Sequence, residues 1–120
     1  MEPARVIEKL RPQIANVFGG LSGPAIRPIA LRYLYEVKRE FQIPVMAMGG
    51  IMTAQDALEF LITGAHLIAV GTANFVNPKA TMEILGGIED YMKRKGHSSI
   101  DKIRGSLKTK EADEEYIPAG

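Results

Sequence analysis

Cysteine and tryptophan are both absent from this chain of 120 residues. Without cysteine, its own residues can form no disulfide, no zinc–thiolate site and no iron–sulfur cluster. A membrane-spanning helix needs about 20 consecutive apolar residues, and no apolar run in the chain approaches that length. The first five residues also lack the apolar core of a signal peptide. These features predict a cytoplasmic protein that does not enter a membrane.

An excess of charge of either sign is also missing. Lys and Arg number 15 and Asp and Glu number 14, which gives a net charge of +1. The basic residues are scattered along the chain, so the clustered basic face of a nucleic-acid-binding protein is not expected. His66 and His97 have no paired carboxylate at the spacing of a metal site or a catalytic triad. We therefore predict no metal ligand and no catalytic residue.

A short apolar strand, a glycine-rich turn and an amphipathic helix occur in this order three times. The predicted strands lie near residues 13–17, 44–48 and 66–70, and the predicted helices near residues 25–41, 54–63 and 78–95. The second and third strands are nearly continuous apolar runs, which is typical of parallel strands covered on both faces. A further short helix is possible near residues 100–104.

Several residues predict where the helices begin and end. Pro28 is tolerated only in a first helical turn, and Thr53 is a good N-cap with Asp56 at the third helical position. Asn77 followed by Pro78 predicts the start of the third helix. The expected helix ends are the glycines Gly64 and Gly96.

Side-chain patterns describe the faces of these helices. The first helix has apolar residues at helical spacing, which are Ile26, Ile29, Tyr33, Val37 and Phe41. The second is predicted to bury Ala57, Leu58, Leu61 and Ile62. The consecutive glycines 86 and 87 are expected to weaken the middle of the third helix.

Strands that alternate with helices predict a parallel sheet of right-handed βαβ units. Such a sheet lies open or closes as an eight-stranded barrel of typically ~250 residues. Three units fit the last third of a barrel, so we predict an α/β fold that forms the C-terminal portion of a TIM (β/α)8 barrel over residues 1–107. The charged segment 108–120 is predicted to be a disordered, solvated tail.

Glycines follow the last two predicted strands, as Gly49 with Gly50 and as Gly71 with Thr72. In a β/α barrel the corresponding loops present backbone N–H groups to a phosphate. Glycine allows the backbone to approach an anion closely, and the threonine adds a hydroxyl donor. The alternative is that these glycines only make tight turns. A third glycine-rich loop, residues 19–24, also leaves backbone donors exposed before a helix.

Three segments resemble class 1B dihydroorotate dehydrogenase, in the order and spacing of that family. They are residues 15–32 (ANVFGGLSGPAIRPIALR), 44–51 (PVMAMGGI) and 69–75 (AVGTANF). The likeness extends from about residue 13 to residue 78 and more loosely to residue 104. Three motifs in order make a specific signal, whereas a single one would not.

This resemblance implies an FMN-binding barrel that oxidises dihydroorotate to orotate in pyrimidine biosynthesis. It implies that Gly23 approaches the flavin from the first loop. It also implies that Gly49 and Gly50 hold the FMN phosphate after the seventh strand, and Gly71 and Thr72 after the eighth. The implied partner is an electron-transfer subunit that carries FAD and an iron–sulfur cluster.

The chain also departs from the family pattern. The family's catalytic base is a cysteine in the first half of the barrel, and this chain has no cysteine. We therefore expect a phosphate-binding segment that is inactive alone. One alternative is a non-catalytic half-barrel that self-associates through exposed strand edges, since a homo-oligomer would cover them. Another is a segment of a different phosphate-binding barrel, such as a relative of inosine monophosphate dehydrogenase, which residues 19–28 disfavour.

Overall fold

A computed structural model describes residue 10 and residues 19–108. The predicted strand at residues 13–17 and all but the first residue of the predicted tail lie outside these residues. Within them, helices and strands alternate along the chain. The helices are α1 (Arg27–Glu40), α2 (Ala54–Thr63), α3 (Ala73–Val76) and α4 (Ala80–Lys95), and the strands are β1 (Met46–Met48) and β2 (Leu67–Ala69). Single 3-10 turns lie at Pro24–Ile26 and Ile100–Lys102.

The two strands are neighbours in one sheet and run parallel. Met46 pairs with Leu67, Ala47 with Ile68, and Met48 with Ala69. Helix α2 makes the connection between them, so the unit is a βαβ crossover. This arrangement confirms the predicted parallel α/β organisation for the second and third strands. Because the strands are parallel, the loops that follow them emerge at the same edge of the sheet.

The predicted boundaries of α2 are confirmed. The Thr53 hydroxyl accepts a hydrogen bond from the Asp56 N–H at 3.2 Å, and the Asp56 carboxylate accepts one from the Thr53 N–H at 3.2 Å. This reciprocal pair is a capping box, which satisfies two N–H groups that have no partner within the helix. Gly64 ends the helix with φ 132°, a backbone angle that residues with a Cβ rarely adopt.

The predicted start of the third helix at Pro78 is wrong. Helix α4 begins at Ala80, and the short helix α3, which the sequence did not reveal, precedes it. The Asn77 side chain accepts a hydrogen bond from the Lys79 N–H at 3.0 Å. The Ala80 N–H donates to the Asn77 carbonyl at 2.9 Å. Asn77 thus organises a separate turn before the helix, which delays its start by two residues.

The hydrophobic core lies between one face of the sheet and the surrounding helices. Its buried members are Leu34, Ala47, Ile51, Ala57, Phe60, Ala65 and Ile84. Phe60 is fully buried and was not among the residues predicted for the inner face of α2. Of the predicted set, Ala57 and Leu61 are buried, and Leu58 and Ile62 are half-buried.

Helix α1 buries a different face from its most regular apolar stripe. Ile29 and Tyr33 are more than half exposed, at 55% and 63%, whereas Leu34 is 5% exposed. Ala30 and Leu31 pack with Leu34 against the core. The contacts of α1 with β1 and α2 select this face, and periodicity alone could not identify it.

The second face of the sheet carries exposed apolar side chains. Met46, Met48 and Leu67 are each at least 60% exposed. The parallel register places Met46 opposite Leu67, so their side chains project from the same face. We call these three residues the open sheet face.

None of the helices in the described residues is long and apolar enough to cross a membrane. The cytoplasmic location stays a prediction.

Gly87 has a packing role that the sequence did not indicate. A Cβ atom at this position would lie 2.3 Å from the Cβ of Ala54, far closer than two carbon atoms can approach. At the neighbouring Gly86, a Cβ would meet nothing within 4 Å. Gly87 therefore lets α4 pack closely against the first turn of α2, and Gly86 does not.

We expect Gly87→Ala to destabilise the fold and Gly86→Ala, its matched control, to stabilise it. Overpacking costs about 1–3 kcal/mol, whereas replacing a glycine inside a helix gains about 0.5–1 kcal/mol. Chemical denaturation followed by circular dichroism measures both changes. Adding Ala54→Gly to Gly87→Ala should restore most of the loss. Equal effects of the two alanine substitutions would contradict the proposed helix contact.

Candidate functional site

Three loops meet at the carboxyl edge of the sheet and enclose a cavity of about 280 Å³. They are the glycine-rich loop before α1, the loop between β1 and α2, and the loop between β2 and α3. The described residues that line the cavity are Ser22, Gly23, Ile26, Met48, Gly49, Gly50, Ile51, Met52, Gly71, Thr72 and Ala73. All five residues predicted to bind a cofactor, Gly23, Gly49, Gly50, Gly71 and Thr72, are therefore brought together.

Gly50 is required by contact between two of these loops. Its φ is +71°, and a Cβ there would lie 2.7 Å from the Gly23 carbonyl oxygen and 2.8 Å from the backbone nitrogen of Arg27. Gly23 itself has φ +88°. The sequence pattern predicts a glycine at position 50 because an anion approaches the backbone closely there. The structure adds a second reason, which is that the protein's own backbone already occupies the space of a side chain.

Gly49 performs the same task against helix α1. Its φ is +136°, and a Cβ would lie 3.1 Å from both Ala30 Cβ and Ile26 Cδ1. The loop after β1 is thus seated on the start of α1 at two consecutive positions. A side chain at either position would push the loop away from the cavity.

Gly71 and Thr72 also line the cavity, but Gly71 is not required by packing against a neighbouring loop. Gly71 does not have a positive φ, and a Cβ there would meet nothing within 4 Å. Thr72 leads into α3 without using its side chain as a cap. No turn or loop hydrogen bond among the described residues is donated by the backbone N–H groups of Gly50, Gly71 or Thr72.

The cavity can bind an anion by its backbone rather than by charged side chains. None of the described lining residues has an ionisable side chain. Backbone N–H groups that converge on a concave surface bind phosphates and similar anions. Glycine-rich loops of this kind leave room for the anion itself. The arrangement therefore suits a phosphate group held by N–H donors and by the Thr72 hydroxyl.

Asp56 holds the loop after β1 in place. It is 6% exposed, and its carboxylate accepts hydrogen bonds from the Met52 N–H at 3.0 Å and the Thr53 N–H at 3.2 Å. The same carboxylate is ion-paired with the Arg27 guanidinium from the first turn of α1. Glu59 lies 3.6 Å from Arg27 as a second, more exposed partner.

The sequence predicts Asp56 only as part of a helix start, where its spacing from Thr53 gives a signal, and does not reveal this positioning role. No sequence signal connected Asp56 with Arg27, since 29 positions separate them. The pairing commits Arg27 to two carboxylates, which leaves the cavity with backbone donors as its main polar groups.

The family model and two curated relatives that this chain matches are all dihydroorotate dehydrogenases. Residues 2–92 match the family model of dihydroorotate dehydrogenase. The catalytic subunit of dihydroorotate dehydrogenase B (NAD(+)) from Alkaliphilus metalliredigens is 52% identical over 101 residues, which cover 84% of this chain and 33% of that protein. The subunit of the same name from Alkaliphilus oremlandii is 56% identical over 97 residues, covering 81% and 32%. The chain spans about a third of the length of the curated relatives it matches.

A solved structure shares the fold. The crystal structure of DHODH in complex with ferulenol from Eimeria tenella superposes with a TM-score of 0.68, over 82% of this chain and 27% of that one. The sequence identity is 22%, so this likeness concerns the fold alone.

We expect Asp56→Asn to lower the free energy of unfolding by about 2 kcal/mol, because it removes a buried carboxylate from Arg27 and two backbone donors. Glu59→Gln is the matched control and should change stability by less than about 1 kcal/mol, since it breaks only a longer, exposed pair. Urea denaturation of both variants measures the difference. Similar losses in the two variants would contradict the central role of Asp56.

Proposed function

We propose that this chain, which belongs to the dihydroorotate dehydrogenase family, supplies the phosphate-binding part of an FMN site for the oxidation of dihydroorotate to orotate. The observation that carries the proposal is the convergence of Gly23, Gly49, Gly50, Gly71 and Thr72 on one cavity without ionisable side chains. The two relatives described above are named as catalytic subunits of dihydroorotate dehydrogenase B, which supports the reaction.

The residues present fit the phosphate end of FMN. Backbone N–H groups of Gly49, Gly50, Gly71 and Thr72 would hold the phosphate, and the open space before Gly71 leaves room for it. Gly23 would border the flavin side of the cavity. FMN supplies the electron-accepting chemistry when it is bound, while the protein binds and orients it.

The proposed role of this chain within the reaction is limited to holding the cofactor. None of its residues is proposed as the catalytic base, because no ionisable side chain lies among the described residues of the cavity. In the proposed architecture the chain forms the C-terminal portion of a TIM barrel, with β1 and β2 as its seventh and eighth strands. Turnover then requires the remaining portion of the barrel.

We also propose an electron-transfer partner. The named relatives are catalytic subunits of an NAD(+)-dependent enzyme, and a catalytic subunit implies another subunit. By the family resemblance, this partner carries FAD and an iron–sulfur cluster and passes electrons from FMN to NAD. This chain has no cysteine to hold such a cluster itself.

A second candidate, self-association, is favoured by the open sheet face. Met46, Met48 and Leu67 place three large apolar side chains on the uncovered side of a two-stranded sheet. A two-fold dimer would let identical faces cover each other. Met48 belongs both to this face and to the lining of the cavity, so a dimer formed through the face would also cover one edge of the proposed phosphate site.

Gly71→Val should weaken FMN binding at least about tenfold, since the new side chain enters open space in the cavity and excludes the phosphate. Thr72→Val, which removes one hydroxyl donor, should weaken binding several-fold. Amide chemical shifts during FMN titration measure both effects, with Gly86→Ala as the control that leaves binding unchanged. Riboflavin lacks the phosphate, so its affinity should be the same for the wild type and both variants.

Gly50→Val is also expected to abolish binding, but through displacement of the loop from Gly23 and Arg27. Gly71→Val therefore tests the phosphate site more directly, because its fold should stay intact. Equal FMN affinities of the wild type and Gly71→Val would overturn the proposed site.

Met46→Glu should reduce self-association, because a charge on the open sheet face opposes burial of that face. Met46 is 61% exposed, and Met82, which is 68% exposed on α4, provides the matched control Met82→Glu. Sedimentation velocity at micromolar concentration measures the oligomer fraction. A wild-type chain that stays monomeric, or equal effects of both substitutions, would exclude self-association through this face.

A further inference from the structure

A second pocket, of about 590 Å³, lies at the end of the sheet opposite to the glycine loops. His66 immediately precedes β2 and lies in this pocket, together with the end of α2 and the second half of α1. The described residues that line it are Tyr35, Lys38, Arg39, Gln42, Thr63, Gly64, His66, Arg104, Gly105 and Leu107. We call it the basic pocket, after Lys38, Arg39, His66 and Arg104.

The basic pocket combines several cations with no lining carboxylate among the described residues. Lys38 donates a hydrogen bond to the Ile43 carbonyl at 2.9 Å, which fixes its ammonium group. Arg104 donates through Nε to the Ala65 carbonyl at 3.2 Å, and its Nη1 pairs with Asp101 at 2.5 Å. Asp101, which does not line the pocket, is the partner of Arg104.

The pKa of His66 responds to the positive charge of the basic pocket. Its Nδ1 accepts a hydrogen bond from the Val45 N–H at 3.3 Å. Partial burial lowers the pKa of His66, and the nearby Arg104 and Lys38 lower it further, while Asp101 opposes them. The charged groups that face the imidazole therefore have a net positive effect. An anionic occupant would reverse this effect and raise the pKa of His66.

An acidic segment of the same chain follows shortly after the pocket residue Leu107. The Gly105 N–H donates to the Leu61 carbonyl and the Leu107 N–H to the Ile62 carbonyl, both at 3.1 Å. These bonds fix the chain at the rim of the pocket as far as Leu107. Residues 111–115, which lie outside the described part, contain four carboxylates in five positions: Glu111, Asp113, Glu114 and Glu115.

The length of the intervening chain also fits. Three residues separate Leu107 from Glu111, and the four residue steps between them can extend over roughly 14 Å. Attachment at Leu107 gives the acidic segment a high effective concentration at the pocket, so several weak charge contacts can act together. Isolated surface ion pairs contribute little, and salt screens them. The interaction should therefore be sensitive to ionic strength.

We propose that the acidic segment 111–115 binds the basic pocket formed by Lys38, Arg39, His66 and Arg104 of the same chain. This intramolecular contact would cover the amino-terminal end of the sheet, away from the phosphate cavity. It differs from the sequence-based expectation of a solvated tail. It is also independent of the proposed FMN site, because the two pockets share no residue.

The test compares the full-length chain with the variant Glu111→Gln/Asp113→Asn/Glu114→Gln/Glu115→Gln. NMR titration of the His66 ring should give a lower pKa in the variant at low salt, because the docked carboxylates that favour the imidazolium are removed. Glu89→Gln/Asp90→Asn neutralises acids on α4 as the control and should leave the His66 titration unchanged. Identical titration of His66 in the wild type and the quadruple variant would overturn the proposal.

Inorganic phosphate distinguishes the tail from a free anion as the occupant. It should shift the His66 resonances in the quadruple variant, where the pocket is vacated, and much less in the wild type. Equal shifts in both proteins would show that the tail does not occupy the pocket.

A spin label provides a second measurement that needs no neutralised variant. The chain has no cysteine, so Ala112→Cys gives a single labelling site. The label should broaden the Gln42 amide resonance at low salt and lose this effect at high salt, with Gly86 as the unaffected control. Absence of broadening at Gln42 at low salt would also overturn the proposal.

Discussion

The buried carboxylate of Asp56 is the constraint on which the carboxyl end of the sheet depends. It receives the Met52 and Thr53 N–H groups and the guanidinium of Arg27, and thus ties α1, α2 and the loop after β1 together. A buried carboxylate without these partners would be costly, so the loop has a strong reason to keep one conformation. Gly49 and Gly50 complete the arrangement, because they let the loop lie directly on α1.

This fixed loop borders a cavity whose described lining residues carry no charge. Arg27 lies beside the cavity but is engaged by Asp56 and Glu59. In the proposed site the anion is left to backbone donors, whose positions are set by the fold rather than by flexible side chains. Preorganised donors of this kind bind without the entropy loss of ordering a long side chain. The three loops that supply them come from parts of the chain that only the parallel sheet brings together.

The two ends of the sheet have opposite chemical character. The carboxyl end is neutral and built from glycine loops, whereas the amino end is lined by Lys38, Arg39 and Arg104. The covered face carries the core around Phe60, and the open sheet face carries exposed methionine and leucine side chains. A chain that spans about a third of its curated relatives thus has a glycine-rich cavity and a basic pocket at opposite ends of one βαβ unit.

The sequence by itself determined the local features, namely the parallel βαβ order, the capping box at Thr53, the helix end at Gly64 and the glycines that follow the two strands. Each of these depends on neighbouring residues or on a motif, so short-range rules suffice. Tertiary structure alone decided that α1 buries Leu34 rather than its regular stripe, that Gly87 meets Ala54, and that Asp56 pairs with Arg27. It also separated α3 from α4. These outcomes depend on contacts between residues that are distant in the chain, and no local pattern encodes which distant atoms will meet.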